Sequence, residues 1–222
     1  MQKIIILIFL ILTFICSCSK TNENAKDLIN KAKTNENAED LINKAKLLWD
    51  GKQYTDSKKA IEYLDKAIKL QPNYAEAYNQ RGVANKNIGQ NQPAIEDFTT
   101  AIRLQPDYVL AYFNRGTAYS NLSEDKQAID DFNEAIRLKP DLVAAYNSRG
   151  IIYNKLGKYQ LAIKDFNESI KLHPNNAIAY NNRGIAHFKQ GDNKLCCSDE
   201  QKACSMGFCK GFELFESRGY CH

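Results

Sequence analysis

Between Cys18 and Cys196 the chain has no cysteine at all, so across 177 consecutive residues no disulfide and no thiolate metal site can form. The cysteines that exist crowd at the two ends: Cys16 and Cys18 near the start, and Cys196, Cys197, Cys204, Cys209 and Cys221 within the last 27 residues. That distribution assigns them two separate local jobs. Histidine is scarce as well. His173 precedes Pro174, His187 stands where Tyr119 and Tyr153 recur, and His222 ends the chain. None of these is placed by sequence as a general base. No G-x-S-x-G, H-E-x-x-H or phosphate-cradling Walker loop occurs, so no enzymatic activity, cofactor or metal is expected. A basic stripe is also missing. Acids and bases are interspersed, 30 Lys and Arg against 26 Asp and Glu, for a net charge of +4. Nucleic acid needs a concentrated positive face and is not an expected partner. Finally, no apolar run is long enough to cross a bilayer. The longest, residues 4–15, is broken only by Thr13, and as a helix it would reach ~18 Å against a hydrocarbon core of ~30 Å.

What is present reads as a globular chain: 222 residues, 44% hydrophobic and 25% charged, enough for one domain or one repeat array. Lys3 followed by the apolar run has the layout of a signal peptide. The run closes on Ile15, Cys16, Ser17 and Cys18. This resembles the lipobox of bacterial lipoproteins: an aliphatic residue, a loosely specified one, a small one, then Cys. The resemblance implies removal of residues 1–17 and lipid attachment at Cys18, and stable anchoring of this kind takes more than one acyl chain. Ser19 stands where an Asp marks inner-membrane retention in such lipoproteins. The implied location is therefore the bacterial cell envelope, lipid-anchored, with the outer membrane favoured where the organism has one. The competing reading is an ordinary signal peptide cut near Ser17 or Ser19, releasing a soluble protein.

Residues 21–33 and 34–46 are tandem 13-mers that differ only at Lys26 against Glu39. Thirteen residues fall some 140° short of four helical turns, so one continuous helix would not align the two apolar faces. The second copy is read as the start of the folded array. Residues 18–38 are read as a tether containing the duplication.

The body of the chain repeats. Pro72, Pro106, Pro140 and Pro174 are 34 apart, and so are Gly82, Gly116, Gly150 and Gly184. Ala60, Ala94, Ala128 and Ala162 keep the interval, as do Tyr78, Tyr112, Tyr146 and Tyr180. A fixed period of this length points to a solenoid of helix pairs. Each unit holds two amphipathic segments of three to four turns. Small residues stand where the paired helices approach, aromatics fill the space between, and the Pro stops the second helix. Helices this short are marginal alone and gain stability by stacking.

These residues resemble the tetratricopeptide repeat (TPR). The units are 41–74, 75–108, 109–142, 143–176 and 177–210, within an array spanning 39–206. The first is irregular, with Lys44 and Leu48 where the others have Tyr and Gly. The resemblance implies an all-α, right-handed superhelical solenoid of about five helix-turn-helix repeats, closed by a cysteine-rich capping helix in 207–222. Arg81, Arg115, Arg149 and Arg183 recur on first helices, and Asp97, Asp131, Asp165 and Asp199 on second helices. They read as a ladder tying helix to helix, or as an Arg-lined groove for acidic ligands.

In the family the first helices line a concave groove. Carried onto this chain, the groove would present Asn79, Phe113, Asn114, Asn147, Ile151, Asn181, Asn182 and Phe188. An Asn amide offers a donor and an acceptor, so a row of them can pair with an extended peptide whatever its side chains. The implied partner is a protein or peptide held in that groove.

At the C-terminus Cys196 takes a small-Ala place, Glu200 replaces the core Phe and Phe208 replaces the Pro, which reads as an array end. Residues 209–218 would form the cap, resembling the cysteine-containing tails that close some exported repeat proteins. Cys197 and Cys204 are too far apart on one helix to bridge. An antiparallel cap would bring Cys209 to Cys204 and Cys221 to Cys197, leaving Cys196 buried. A zinc site with His222 and a redox centre at Cys196 and Cys197 are the competing readings. The function expected is a membrane-anchored scaffold or adaptor, in envelope assembly, pilus or secretion. The alternatives are thiol-redox or metal-dependent activity of the tail, and a structural spacer with no dedicated ligand.

Overall fold

The computed structural model describes residues 37–221. The signal segment, Cys18, the first 13-mer and the start of the second lie outside the described residues. Among the described residues there are eleven helices and no strand. They run in consecutive pairs: α1 (Ala38–Lys46) and α2 (Ser57–Leu70), α3 (Ala75–Asn87) and α4 (Asn91–Leu104), α5 (Val109–Asn121) and α6 (Asp125–Leu138). Then come α7 (Val143–Lys155) and α8 (Tyr159–Leu172), α9 (Ala177–Lys189) and α10 (Asn193–Cys204), and a single α11 (Lys210–Ser217).

The 34-residue pattern acts through packing. Ala60, Ala94, Ala128 and Ala162 are fully buried, which lets paired backbones approach closely. Phe98, Phe132 and Phe166 fill the space between helices, and each ring lies against a glycine of the partner helix. A Cβ on Gly82 would sit 2.6 Å from the Phe98 ring, and one on Gly150 2.8 Å from Phe166. The glycine is therefore required by the ring, since a close-packed interior leaves it nowhere to move. At the end of each second helix, Gln71, Gln105, Lys139 and His173 are extended, with φ from −137° to −139°. Each precedes a proline, whose ring excludes the helical conformation there.

Every helix packs on the next in sequence, and the first helices of neighbouring pairs also touch: α3 on α5, α5 on α7, α7 on α9. A stack whose first helices meet across pairs curves toward them, so they line its inner face. The result is a right-handed superhelical solenoid of helix pairs.

Both ends depart from the pattern. α1 begins at Ala38, capped by Asn37, which accepts from the Asp40 amide at 2.8 Å while Asp40 accepts from Asn37 at 3.4 Å. It therefore starts earlier than the repeat phase at Leu41 suggests, burying Ala38, Leu41, Ile42 and Ala45. It also stops early, and residues 47–56 form a loop. The loop is closed by an isolated bridge between Trp49 and Tyr54, whose rings meet edge to face at 5.3 Å. At the other end α11 keeps the repeat phase: Gly211 stands 34 residues after Ala177. The cap thus lies in the phase of a sixth unit's first helix.

Candidate functional site

The inner face changes character along its length. At the N-terminal end a cavity of about 560 Å³ lies between the 47–56 loop, α3 and α5. Trp49 and Tyr54 form one wall, Asn79, Gln80 and Val83 the floor, and Leu110 and Asn114 the far rim. The floor is held by hydrogen bonds. The Tyr54 hydroxyl donates to Gln80 Oε1 at 2.7 Å, and Asn114 Nδ2 donates to Asn79 Oδ1 at 3.2 Å. Lys46, Lys52 and Lys86 line the same cavity. Lys46 is paired with Glu76 at 2.6 Å. Lys86 is half-buried and, among the described residues, no carboxylate pairs with it; burial alone pushes its ammonium below the usual lysine range.

Further along, Ile151 on α7 is 45% exposed, and Leu110 on α5 and Ile178 on α9 are 51% and 54% exposed. Between them the amide oxygens of Asn147 and Asn154 are shielded from solvent and have no partner. Asn154 Nδ2 donates to the Asn182 carbonyl at 2.9 Å, joining α7 to α9.

The expected Asn row is not uniform. Asn79 is 2% exposed and its oxygen is already engaged by Asn114. Phe113 packs inward on Phe132, with ring centroids 5.7 Å apart. Asn181 Nδ2 is held by both oxygens of Glu200, at 2.8 and 2.9 Å. Phe188 is covered by the cap, against Phe215 at 4.8 Å and Tyr220 at 5.0 Å. Of the eight residues named from sequence, Asn147, Ile151 and Asn182 remain toward the open middle and Asn114 at the N-terminal cavity. Sequence reasoning missed Trp49, Tyr54, Leu110 and Ile178. The signal for the last two was there: they share one repeat position with Glu76 and Ala144, a surface place that needs no apolar side chain.

The arginine ladder is real and fully engaged. Arg81, Arg115, Arg149 and Arg183 each grip the paired Asp97, Asp131, Asp165 or Asp199 at 2.6 to 2.7 Å. Each also uses its remaining nitrogen on the preceding unit's second helix, at Asp65, Thr99, Asn133 or Asn167. Each stacks over its own unit's Tyr at 5.3 to 5.7 Å. None of these four guanidinium groups is left to line a groove for acidic ligands, and that reading of the recurring arginines is set aside. The aspartates are at most 6% exposed, so these pairs differ from exposed ones. Removing one partner strands a buried charge.

In the tail the structure places disulfides at Cys197–Cys221 and Cys204–Cys209, with Cα separations of 5.4 and 4.0 Å. Cys196 is a buried free thiol, its pKa pushed up to about 12 by burial first and then by Glu200 and Asp199. Such a thiol stays protonated and unreactive. Phe188, Cys196, Phe212, Phe215 and Cys221 form one apolar cluster beneath the cap. Among the described residues no group of three or more His, Cys, Asp or Glu is placed to hold a metal ion.

Comparison with known proteins gives matches to family models described as TPR repeat, over residues 86–123 and 150–191, and as tetratricopeptide repeat, over 109–142, 63–96 and 38–74. No curated protein matches the sequence significantly. Among solved structures, the chain is similar to a crystal structure of MamA, at 27% identity over 69% of this chain and 90% of that one, TM-score 0.66. It is similar to MamA from Desulfovibrio magneticus RS-1 at 19% identity over 79% and 97%, TM-score 0.70. It is also similar to YrrB, described as a TPR protein with an unusual peptide-binding site, at 21% identity over 86% and 97%, TM-score 0.69. At 19% and 21% identity these last two likenesses concern the fold alone.

Proposed function

Because the chain belongs to the tetratricopeptide-repeat family, we propose that it is a non-catalytic scaffold, lipid-anchored through Cys18 in the bacterial envelope, that holds a protein or peptide along its inner groove. The observation that carries this reading is the middle of that groove. Ile151 and Ile178 are 45% and 54% exposed there, and Leu110 is 51% exposed toward the N-terminal end. Apolar side chains there gain by being covered. YrrB, which shares the fold, is described as having a peptide-binding site. Envelope assembly, pilus or secretion work is the setting by fold-level analogy.

The test is capture from envelope extract with the full chain, tagged after His222, beside an Asn147→Ala, Ile151→Ser variant. Ile151 is 45% exposed on α7, and both positions lie away from the arginine ladder. A partner kept by the parent and lost by the variant supports the groove. Recovery of the same proteins by both sinks it and leaves a spacer. The anchor is tested separately: Cys18→Ser moves the protein from the membrane to the soluble fraction, and retention in the membrane contradicts lipid attachment at that residue.

A further inference from the structure

We propose that the N-terminal end of the groove is a dedicated subsite for an acidic stretch of the partner: a side-chain carboxylate of an extended peptide pairs with Lys86, and the apolar residue beside it lies on Trp49, Val83 and Leu110. This rests on the groove reading and adds the class of segment recognised.

The chain's treatment of its other inner charges makes Lys86 stand out. Each ladder arginine has its own aspartate within 2.7 Å, and Lys46 has Glu76 at 2.6 Å. Lys86 is half-buried at the wall of a cavity of about 560 Å³ with no carboxylate beside it among the described residues. A desolvated ammonium without a counter-ion is costly, and a carboxylate arriving from outside removes that cost. The same repeat position holds Ser120, Asn154 and Phe188 in later units, so the charge is confined to this end. Lys46 and Lys52 line the same cavity, which keeps its field positive despite Glu76. Those two lysines are not the seat itself, because one is already paired and both are exposed.

The apolar half of the subsite comes from the irregular 47–56 loop. Its Trp49 and Tyr54 rings are locked edge to face, and Tyr54 is tied to Gln80. A rigid aromatic wall loses little freedom when covered. Lining residues lie on both sides of Lys86, from Trp49 to Leu110. A chain can therefore continue in either direction past the lysine, which suits an internal Glu or Asp rather than a terminal carboxylate.

Trp49 is the only tryptophan in the chain, so its fluorescence reports this cavity alone. The experiment titrates the full chain, in detergent, with three probes. The first is an end-blocked octapeptide alternating leucine and glutamate. The second is the same peptide with glutamine for glutamate, and the third is the glutamine peptide with a free C-terminal carboxylate. The expected result is a saturable Trp49 shift with the glutamate peptide, binding ~10-fold tighter than with either glutamine peptide, and a preference that fades as salt rises. Lys86→Met keeps the stem and abolishes the preference, while Lys86→Arg retains it. Equal binding of glutamate and glutamine peptides overturns the proposal. So does tight binding of the free-carboxylate peptide alone, a preference that survives in Lys86→Met, or no shift with any probe. None of these touches the capture result with the Asn147, Ile151 variant, so failure here and failure of the groove reading are separable.

Discussion

Glu200 stands where Phe98, Phe132 and Phe166 fill the earlier units, and it is fully buried, bracketed by Asn181, Gly184 and Gly211. Burial pushes its carboxyl above the ordinary glutamate value, against the pull of the Asn181 amide. From about pH 4 up to that raised value, the folded chain keeps a proton that the unfolded chain has lost. The stability this group contributes is therefore fully present below the unfolded value and falls as pH rises through the folded one. Thermal unfolding followed from acid to neutral pH should show that decline at the C-terminal end, and Glu200→Gln should flatten it. At Arg149 the stakes are larger. Its Asp165 partner is 3% exposed, so Arg149→Ala should cost about 3–5 kcal/mol in chemical denaturation. A loss under 1 kcal/mol, of the size seen for surface pairs, would mean the ladder is ornamental. Ser123 is the one described non-glycine residue with positive φ, 61°, in a turn where other units use Gly89, Gly157 and Gly191. Ser123→Gly should raise stability by about 0.5–1 kcal/mol because the left-handed conformation carries no Cβ penalty in glycine. The ladder was legible in the sequence because both partners keep the period. That Asn79 and Asn181 turn inward was not, because an amide's partner is fixed by neighbours on other helices.

Among the elements, α11 shows how the fifth unit is covered. Eight residues are too few to hold a helix unaided. Cys204–Cys209 pins its start, and Cys197–Cys221 closes a 24-residue separation behind its end. In the chain-entropy account that longer closure is worth about 3 kcal/mol. A Cys197→Ser, Cys221→Ser double variant should therefore lose protection of α11 in hydrogen exchange while α3 to α8 keep theirs. Uniform loss across the array would show instead that the cap governs the whole stack. The end of the array was readable from the loss of the core Phe and the Pro. That the cap is a phased first helix covering Phe188 was hidden, because Leu214 stands in the Tyr place and Arg218 in the Gly place that mark the phase elsewhere. The 47–56 loop was hidden too, since the first unit has lost the Tyr and Gly that mark the phase elsewhere.

At the scale of the molecule, the stack is built from contacts between neighbours, so its shape follows from a pattern repeated every 34 residues. That is why a stack of helix pairs was legible from spacing, while its right-handed superhelix came with the family resemblance. The groove's contents were legible only in part, because they depend on positions the repeat leaves free to vary: Ile151 was named from the sequence, whereas Leu110 and Ile178 were not. The central claim is that this inner face, rather than the outer one, meets the partner. The most direct test places a photo-crosslinking amino acid at Ile151 on α7, or at Lys164 on the exposed side of α8, in the full chain within intact envelopes. The account predicts a discrete crosslinked species from position 151 and none from 164. Crosslinking from 164 alone, or equally from both, would contradict it.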